Sequence, residues 1–518
     1  MSAMRRVIRY SIDDSIIYRD DPAHCQTELR PGKFMRDIWS AYPFTFDNSF
    51  YVFNITNPED IAGGAKPILQ EIGPFVYDQY QEKSNQVDHD EDDTVSYTNK
   101  YTYHFNAEKS KGLTGEEEVV VPNYFILGLV NSLLIDKPSA VPIIGKGVDS
   151  IFKKPSSIFI RAKVKEVLFD GFVINCTVKD FAGAAICSEV RDQYEDLKMI
   201  KIAEDVYLMS LFGSSNGTSS KSTIRVNRGS KKLMKLGQVT EFKGVPNIST
   251  WNDPVCDLLN GTDGSIFRPF LKKNKPYGGI FVEPICRNLQ LSWLGSSRYS
   301  GVKTFSYTSS LGVDPESNPH DKCFCHNPDE CLKPGVFDAY KCAKLPIIIS
   351  NPHFYLADPH YLTLVDGLKA EKDKHMLHVD LEPNSGVPIH ANTRVQINML
   401  LTKVEKFKLM KNMPEALLPL LWIENTLNLP NSLVRVIKMA LMLLLLAKIT
   451  YYLAMIGGIG FSVYSGILYY RAMKMRKSTE IQEVPQPIAE NEKPDVVDKT
   501  LPLNFPRLQP AQLPPIIN

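Results

Sequence analysis

One uncharged stretch constrains the fold more than any other feature of this sequence. It runs from Ile449 to Tyr470 without a charged side chain. A helix of about 20 residues crosses the roughly 30 Å hydrocarbon core of a bilayer, whereas buried helices of soluble proteins seldom exceed about 14 uncharged residues. The sequence therefore predicts one membrane-spanning helix at residues 449–470. Basic residues flank it on both sides: Lys448, Arg471, Lys474, Arg476 and Lys477.

Small residues recur at every fourth position of this helix, at Gly458, Ser462 and Gly466. Such a face allows close packing against another helix, although it could equally face lipid. The flanking charges do not settle the orientation of the span, because the residues before it nearly balance those after it. The cations on the N-terminal side are Arg435, Lys438 and Lys448.

The composition of the remaining chain indicates a large water-soluble body on this anchor. The chain has 518 residues, 43% of them hydrophobic, and a formal net charge of +1. No charge bias points to a nucleic-acid partner. The histidines are scattered and no phosphate-binding loop follows a strand, so we expect neither an enzyme nor a cofactor.

Six of the nine cysteines cluster in one window of the chain. One explanation is a disulfide framework, and the other is a metal site with thiolate and imidazole ligands. Zinc sites favour a C-x2-4-C spacing, which this window does not contain, so we expect no metal. The cysteines and nearby histidines are Cys256, Cys286, Cys323, Cys325, Cys331, Cys342, His320 and His326.

Five N-x-S/T sequons give a second indication of the compartment. Chance alone yields a few sequons in a chain of this length. Together with the cysteine cluster they favour an oxidising, extracytoplasmic environment for the body. The predicted glycosylation sites are Asn54, Asn175, Asn216, Asn247 and Asn260.

Residues 1–28 alternate charges with short apolar pairs and contain no apolar segment of the kind that exports a protein. A C-terminal span alone would leave the body in the cytosol. We therefore expect that an N-terminal export or anchoring segment is missing from this sequence, and that residues 1–28 are an atypical N-terminal segment.

Local patterns predict strands first and helices next. Phe50–Ile55 is the clearest strand, within a region of aromatic and β-branched runs broken by proline and glycine. Helical spacing follows, where Phe125, Leu129 and Leu133 share one face. Residues 156–255 return to an alternating pattern that is typical of strands.

Three smaller motifs remain open or weak. The acidic run at residues 88–93 lacks the spaced oxygens and glycine of a calcium loop, so we interpret it as a solvated hairpin tip. Residues 213–217 satisfy G-x-S-x-G, but that motif needs a strand before it and a helix after it, and we expect a flexible glycosylated loop instead. Cys176 and Cys187 either form a further bridge or stay buried thiols, and the role of Cys25 is open.

Several motifs near the start of the chain occur in a fixed order. They are PG-x-x-x-R-x-x-W, YVFN-x-TNP and LQEIGP-x-x-Y, formed by Pro31, Gly32, Arg36, Trp39, Tyr51–Pro58, Leu69–Pro74 and Tyr77. This series resembles the start of the ectodomain in the class B scavenger receptor family. The long charged tail and the stretches NYFILGLVN, LFDGFVINC and DFAGAAIC look most like its insect sensory neuron membrane protein branch.

The densest part of the resemblance lies between Trp251 and Cys342 and contains NGTDG, ICR, CFC and GVFD. Six cysteines allow 15 pairings, and sequence alone does not choose among them. The resemblance implies the pairs Cys256–Cys323, Cys286–Cys342 and Cys325–Cys331. It also identifies Pro414–Trp422 with the segment that approaches the membrane.

The resemblance implies an α+β fold, in which a large antiparallel β-barrel-like ectodomain carries an apical helical bundle and an internal apolar tunnel. Ligands and carrier particles dock at the apex in this family. Lys146, Lys153 and Lys154 are the basic residues that this chain offers there, although ordinary solubilising charges explain them as well.

The implied function is that of a membrane receptor or co-receptor. It would capture hydrophobic ligands, such as fatty-acid-derived lipids or pheromone-like odorants, and pass them through the tunnel to the membrane or to a partner odorant receptor. A ligand-carrier protein is a further expected partner. A lipid of about 14 carbons resists transfer into water by on the order of 10 kcal/mol, and an apolar path removes that barrier. The alternative is a scavenger or adhesion receptor that binds lipid particles or apoptotic debris at the apex without conducting lipid.

These interpretations divide the chain into segments. Residues 29–432 form an extracellular ligand-binding ectodomain, and residues 433–448 form an apolar segment that either extends the span or lies in the interface. Residues 449–470 cross the cell membrane. Residues 471–518 are charged and proline-rich, which is typical of a disordered cytoplasmic tail.

Overall fold

The computed structural model describes residues 28–480. The predictions for residues 1–27, including Cys25, and for the tail beyond residue 480 lie outside the described residues. A boundary between two compact units falls after Leu445.

The largest element of the first unit is an antiparallel sheet of 13 strands. Its strands follow the order β10-β9-β3-β2-β1-β18-β17-β16-β13-β12-β11, and β14 joins through β15, which pairs with β17. Two smaller sheets are β4-β5 and β6-β8-β7. The strands are β1 Phe46–Ile55, β2 Leu69–His89, β3 Thr94–Phe105, β4 Glu118–Pro122, β5 Phe159–Lys163, β6 Phe172–Asn175, β7 Met199–Ala203, β8 Val206–Met209, β9 Ser219–Asn227, β10 Val239–Phe242, β11 Tyr277–Val282, β12 Arg287–Tyr299, β13 Val302–Thr308, β14 Val336–Asp338, β15 Ile348–Ser350, β16 His378–Leu381, β17 Pro388–Leu401 and β18 Ala416–Asn428.

The two edges of the large sheet are joined by residues Asn260–Gly264, which we call the closing segment. The Val239 amide donates to the Gly261 carbonyl at 2.9 Å on the β10 side, and the Phe281 amide donates to the Thr262 carbonyl at 2.7 Å on the β11 side. Gly261 has a φ of +101°, and a Cβ there would lie 2.0 Å from the Gly279 carbonyl oxygen. Only glycine fits this approach, so the NGTDG motif closes the sheet into a nearly complete barrel.

The predicted strand at Phe50–Ile55 is confirmed as part of β1. Most of Pro414–Trp422 belongs to β18, which lies between β1 and β17 in the sheet and is followed directly by the helix that begins at Asn431. Its apolar residues are buried on both faces of the strand, which explains the unbroken apolar sequence. The role of this segment in approaching the membrane stays a prediction.

Nine α-helices lie in the part of the chain that the structure describes. They are α1 Phe34–Ser40, α2 Pro58–Ala62, α3 Tyr124–Asp136, α4 Val141–Ile151, α5 Phe181–Gln193, α6 Tyr340–Ala343, α7 His360–Leu364, α8 Lys372–His375 and α9 Asn431–Glu480.

Helices α3, α4 and α5 form the predicted helical group. The Asn123 side chain caps α3 by accepting from the amides of Phe125 and Ile126, each at 3.1 Å. The strands predicted for residues 156–255 are confirmed by β5 to β10, but the prediction was wrong at α5, which interrupts them. Gly147 of α4 touches α5, since a Cβ at Gly147 would lie 2.4 Å from Ile186 Cδ1. The close helix contact holds α5 in place.

The acidic run is the tip of the β2–β3 hairpin, as predicted, but it is not simply solvated. Asp88 pairs with Arg36 at 3.0 Å and with Arg228 at 3.1 Å, and both arginine side chains are almost completely buried. Asp92 pairs with Arg225 at 2.7 Å. Arginines that are distant in sequence therefore pair with the acidic run, and no local sequence pattern predicted these contacts.

Helix α9 contains the predicted span. By length and composition it is the one helix among the described residues that could cross a membrane. It begins at Asn431, so the apolar residues 433–448 belong to the same continuous helix. At 50 residues its length is about 75 Å, more than twice the thickness of a hydrocarbon core.

Candidate ligand-binding interior

An aromatic cluster lies inside the barrel next to the helical group. Phe50 of β1 and Tyr77 of β2 face inward, and Phe169 and Phe212 reach them from two short turns outside the large sheet. Ring centroids are 5.1 Å apart for Phe50 and Phe212 and 4.5 Å apart for Tyr77 and Phe169. Tyr103 of β3 joins the cluster at 5.4 Å from Phe169. These rings offer an apolar surface at one end of the interior.

Two short turns, packed tightly against each other, place Phe169 and Phe212 in this cluster. Phe169 lies in a single π-helical turn, Glu166–Asp170. Gly213 follows Phe212, and a Cβ at Gly213 would lie 2.1 Å from the Phe169 carbonyl oxygen. The G-x-S-x-G motif therefore serves this contact. No helix of the nucleophile-elbow type follows it in the described chain, since β9 comes next.

Polar side chains continue the inner wall beyond the aromatic cluster. Along β2 the inward positions are Gln79, Gln81 and Lys83, and the positions between them face outward. Gln79 donates to the Tyr103 hydroxyl at 2.9 Å, and Gln81 donates to Gln79 at 3.1 Å. Asn425 of β18 also donates to Gln79. The interior is thus lined by hydrogen-bonding groups as well as by apolar ones.

A buried ion pair ties this wall to the closing segment. Lys83 Nζ lies 3.2 Å from Asp263, and the two side chains are 9% and 3% exposed. Tyr97 and Ser265 also donate to Asp263. Burial raises the pKa of Asp263, but Lys83 and these hydrogen bonds outweigh it and keep the pKa below its ordinary value. The pair therefore stays charged and holds the closing segment against β2 and β3.

Two cavities lie near the closing segment, one beside Ser265 and the other lined by Asn260, Gly261 and Thr262. One, of about 50 Å³, is almost entirely apolar and is lined by residues that include Tyr42, Phe44, Phe267 and Leu427. The other, of about 220 Å³, is more open and more polar and includes Arg268. The smaller cavity would hold one or two water molecules.

The outer face of the barrel is covered by residues Asn351–Met376, which we call the covering segment. His353 contacts Glu71 of β2 through Nε2 and accepts the Lys369 amide through Nδ1 at 3.0 Å. His375 accepts the Glu371 amide through Nδ1 at 2.9 Å. The two imidazole rings stack at 4.4 Å.

The surroundings of His375 disfavour its protonated form. Trp422 donates to Glu71 at 2.7 Å. Burial and the neighbouring His353 lower the pKa of His375 to about 4. The histidines looked scattered in the sequence, and only the fold brings His353 and His375 together.

All six cysteines of the predicted cluster form disulfides, in the pairs that the resemblance implies. The Cα–Cα distances are 6.6 Å for Cys256–Cys323, 5.8 Å for Cys286–Cys342 and 5.2 Å for Cys325–Cys331. Cys176 and Cys187 form a fourth pair at 5.3 Å. Asp253 lies beside Cys256 and Cys323, but both sulfurs are bonded to each other and are not free thiolates.

The five sequon asparagines differ in their surroundings. Asn54 lies within β1 and is half-buried, and its side chain accepts the Val120 amide at 2.8 Å. The other four asparagines are exposed: Asn175, Asn216, Asn247 and Asn260. Glycosylation of these sites stays a prediction, and exposure favours the last four.

The three lysines predicted for the apex lie in or just after α4. Lys146 is on the helix, and Lys153 and Lys154 follow it with φ values of +55° and +58°. All three are exposed, and none has a carboxylate partner within the described chain. Their role as a ligand site stays a prediction.

A disulfide-braced, nearly closed β-barrel whose chain continues into one apolar helix is typical of a membrane-anchored protein with a large folded body, and the comparisons that follow support a membrane receptor role. Residues 12–469 match the CD36 family, and the chain belongs to that family. It is similar to sensory neuron membrane protein 1 of Apis mellifera, with 39% identity over 95% of this chain and 92% of that protein. The protein of the same name in Manduca sexta is 39% identical over 78% of this chain and 77% of its own length. That of Plutella xylostella is 37% identical over 79% and 77%.

Proposed function

We propose that this receptor captures hydrophobic ligands and passes them through the barrel interior to the membrane or to a partner odorant receptor. The aromatic cluster of Phe50, Tyr77, Phe169 and Phe212, enclosed by the barrel, is the observation that carries the proposal. An apolar lining lowers the cost of moving a hydrocarbon chain, at about 0.8 kcal/mol for each methylene kept from water.

The proposal includes an orientation. Four disulfides and four exposed sequons support an extracellular body, since both belong to oxidising compartments. The chain beyond the span would then be cytoplasmic. A ligand-carrier protein would deliver the ligand, and the partner receptor would supply most of the selectivity, because one methylene in an apolar pocket discriminates by only about 1 to 3 kcal/mol.

Adjacent residues of β2 provide a test with a matched control. Gln81 faces the interior and Tyr80, which is 47% exposed, faces outward. Gln81→Trp should obstruct the interior, whereas Tyr80→Trp places the same indole ring on the outer face. Ligand-evoked responses of a co-expressed odorant receptor should fall with Gln81→Trp and persist with Tyr80→Trp. Equal responses from both variants at equal surface abundance would reject conduction through the interior.

The second candidate function is particle binding at the helical group. Phe181 at the start of α5 is 83% exposed, and Ile143 of α4 is 51% exposed. Exposed apolar groups beside unpaired lysines suit a lipid-particle surface. Replacing Lys153 and Lys154 with glutamate should then abolish lipoprotein binding, while Gln81→Trp leaves it intact. The opposite pattern would favour conduction.

A further inference from the structure

Two phenol hydroxyls on the inner face of β3 have protons that no acceptor among the described residues binds. Tyr101 pairs across the sheet with Gln81, and Tyr103 pairs with Gln79, so both side chains face the interior. The Tyr103 hydroxyl accepts from Gln79, and among the described residues no group accepts its own proton. The Tyr101 hydroxyl makes no hydrogen bond within the described chain. Both side chains are only half-buried, so they border interior space.

These donors lie beside the aromatic cluster. The Tyr103 ring belongs to the cluster through its contact with Phe169. Tyr101 is two residues away on the same face, about 7 Å along the strand. A hydrocarbon chain among the aromatic rings would therefore place its polar end at the two hydroxyls.

The charges around the two hydroxyls discourage an anion. Lys83 is the cation on this wall, and it is already paired with Asp263. Glu283 is held on the same side by hydrogen bonds from Asn99 at 2.9 Å and Ser220 at 2.6 Å. The Glu283 carboxylate thus has no cationic partner among the described residues.

Both phenols remain protonated donors at neutral pH. Burial raises the pKa of Tyr103 to about 12. Burial and Glu283 raise the pKa of Tyr101 still further.

We propose that Tyr101 and Tyr103 form a hydrogen-bonding station for the polar end of an uncharged oxygenated lipid, such as an ester, aldehyde or alcohol, and that it discriminates against the carboxylate of a free fatty acid. The station rests on the proposed function, because the ligand must enter the barrel to reach it. Its chemistry is simple: a carbonyl oxygen accepts one or both phenol protons, whereas a carboxylate would meet Glu283 without a free cation to offset it.

Three tritiated probes of similar length separate the contributions of the hydrocarbon chain, the ester group and the negative charge to binding. They are heptadecane, methyl hexadecanoate and hexadecanoate. Saturable binding is measured on the full chain in phosphatidylcholine nanodiscs, with empty nanodiscs as background. The wild type should bind methyl hexadecanoate at least several-fold more tightly than either of the other two probes. Tyr101→Phe removes one unpartnered hydroxyl, and should weaken methyl hexadecanoate binding roughly 3- to 10-fold while leaving heptadecane unchanged.

Two further variants control for effects on the outer face and on folding. Tyr80→Phe removes a hydroxyl from the outer face and should change no affinity. Tyr103→Phe should repeat the ester-specific loss if the Tyr101 variant folds poorly. Equal losses for ester and hydrocarbon, or wild-type binding of hexadecanoate as tight as that of the ester, would overturn the station while leaving the proposed function standing. Absence of any saturable binding sensitive to Gln81→Trp would instead overturn the proposed function, and the station with it.

Discussion

Two segments complete the barrel, and different chemistry holds each of them. The closing segment, Asn260–Gly264, joins the sheet edges through backbone hydrogen bonds, a glycine contact and the buried Lys83–Asp263 pair. The covering segment, Asn351–Met376, is held on the outer face by histidine nitrogens that accept backbone amides. The first arrangement keeps its form at any pH at which Asp263 is ionised. The second includes His375 Nδ1 as an acceptor, and protonation of that imidazole removes this contact, so acid should weaken the covering segment before it weakens the closing segment.

The largest expected effect comes from breaking the ion pair of the closing segment. Asp263→Ala leaves the Lys83 cation buried without a partner, and removal of one member of a buried pair costs about 3 to 5 kcal/mol. Thermal unfolding of the full chain in detergent, followed by circular dichroism, measures the loss.

The double variant Lys83→Met with Asp263→Leu is the control for that experiment. It removes both charges and keeps apolar volume, and we expect it to recover most of the lost stability. A single variant as stable as the wild type would show that the closing segment does not depend on the pair.

The next effect tests whether the closing side of the barrel also depends on covalent bracing. Cys286 follows β11 and pairs with Cys342, 56 residues later, and the Trp251 indole donates to the Cys286 carbonyl at 2.7 Å. Replacing both cysteines with alanine should lower the free energy of unfolding by about 2 to 4 kcal/mol, because the unfolded chain gains freedom. Denaturant titration should show a lower midpoint. A variant with an unchanged midpoint would contradict this.

The comparison also explains which parts of the fold the sequence could predict. Local signals were enough for the strand at Phe50–Ile55 and for the apolar helix at residues 449–470, since each carries its own pattern. Closure of the sheet into a barrel could not be predicted from the sequence, because the need for glycine at Gly261 arises only when Gly279 of β11 packs against it. Helix α5 was missed because its position depends on contact with Gly147.

The candidate site was predictable only in part. The alternation of Gln79, Gln81 and Lys83 looks like the solvent face of a strand, since polar residues at every second position usually face water. The barrel turns that face inward. The contact between His353 and His375 in the covering segment could not be predicted either, because the two residues are far apart in sequence. Spacing cannot reveal groups that meet only through tertiary structure.

A smaller effect should appear in the covering segment as the pH falls. The pKa of His375 in the folded protein is about 4, against an ordinary 6.5, because of burial and then His353. The folded state therefore takes up a proton less readily than the unfolded segment does. The stabilising contribution is complete above about pH 6.5 and is lost as the pH falls towards 4. Allowing for solvent screening, we expect a loss of about 1 to 2 kcal/mol.

Hydrogen exchange measures this locally. The Glu371 amide, which donates to His375, should exchange faster at pH 5 than expected from the chemical rate alone, while the amides of the closing segment should not. His375→Asn keeps an acceptor but cannot gain the proton, so its covering segment should respond little to pH. Equal acceleration in both segments would remove the contrast between them.

The smallest expected effect concerns the exposed ion pair at the covering segment, Lys66 with Asp366. The nitrogen and oxygen are 2.6 Å apart, but the side chains are 42% and 52% exposed, and such pairs contribute about 0 to 1 kcal/mol. Asp366 is also held through its backbone, by bonds of 2.9 Å from the Leu69 amide and to the Pro67 carbonyl. Asp366→Asn keeps those bonds, so unfolding should shift by less than about 1 kcal/mol, and less again in 1 M salt. A larger shift would show that this exposed pair stabilises the covering segment more than surface ion pairs ordinarily do.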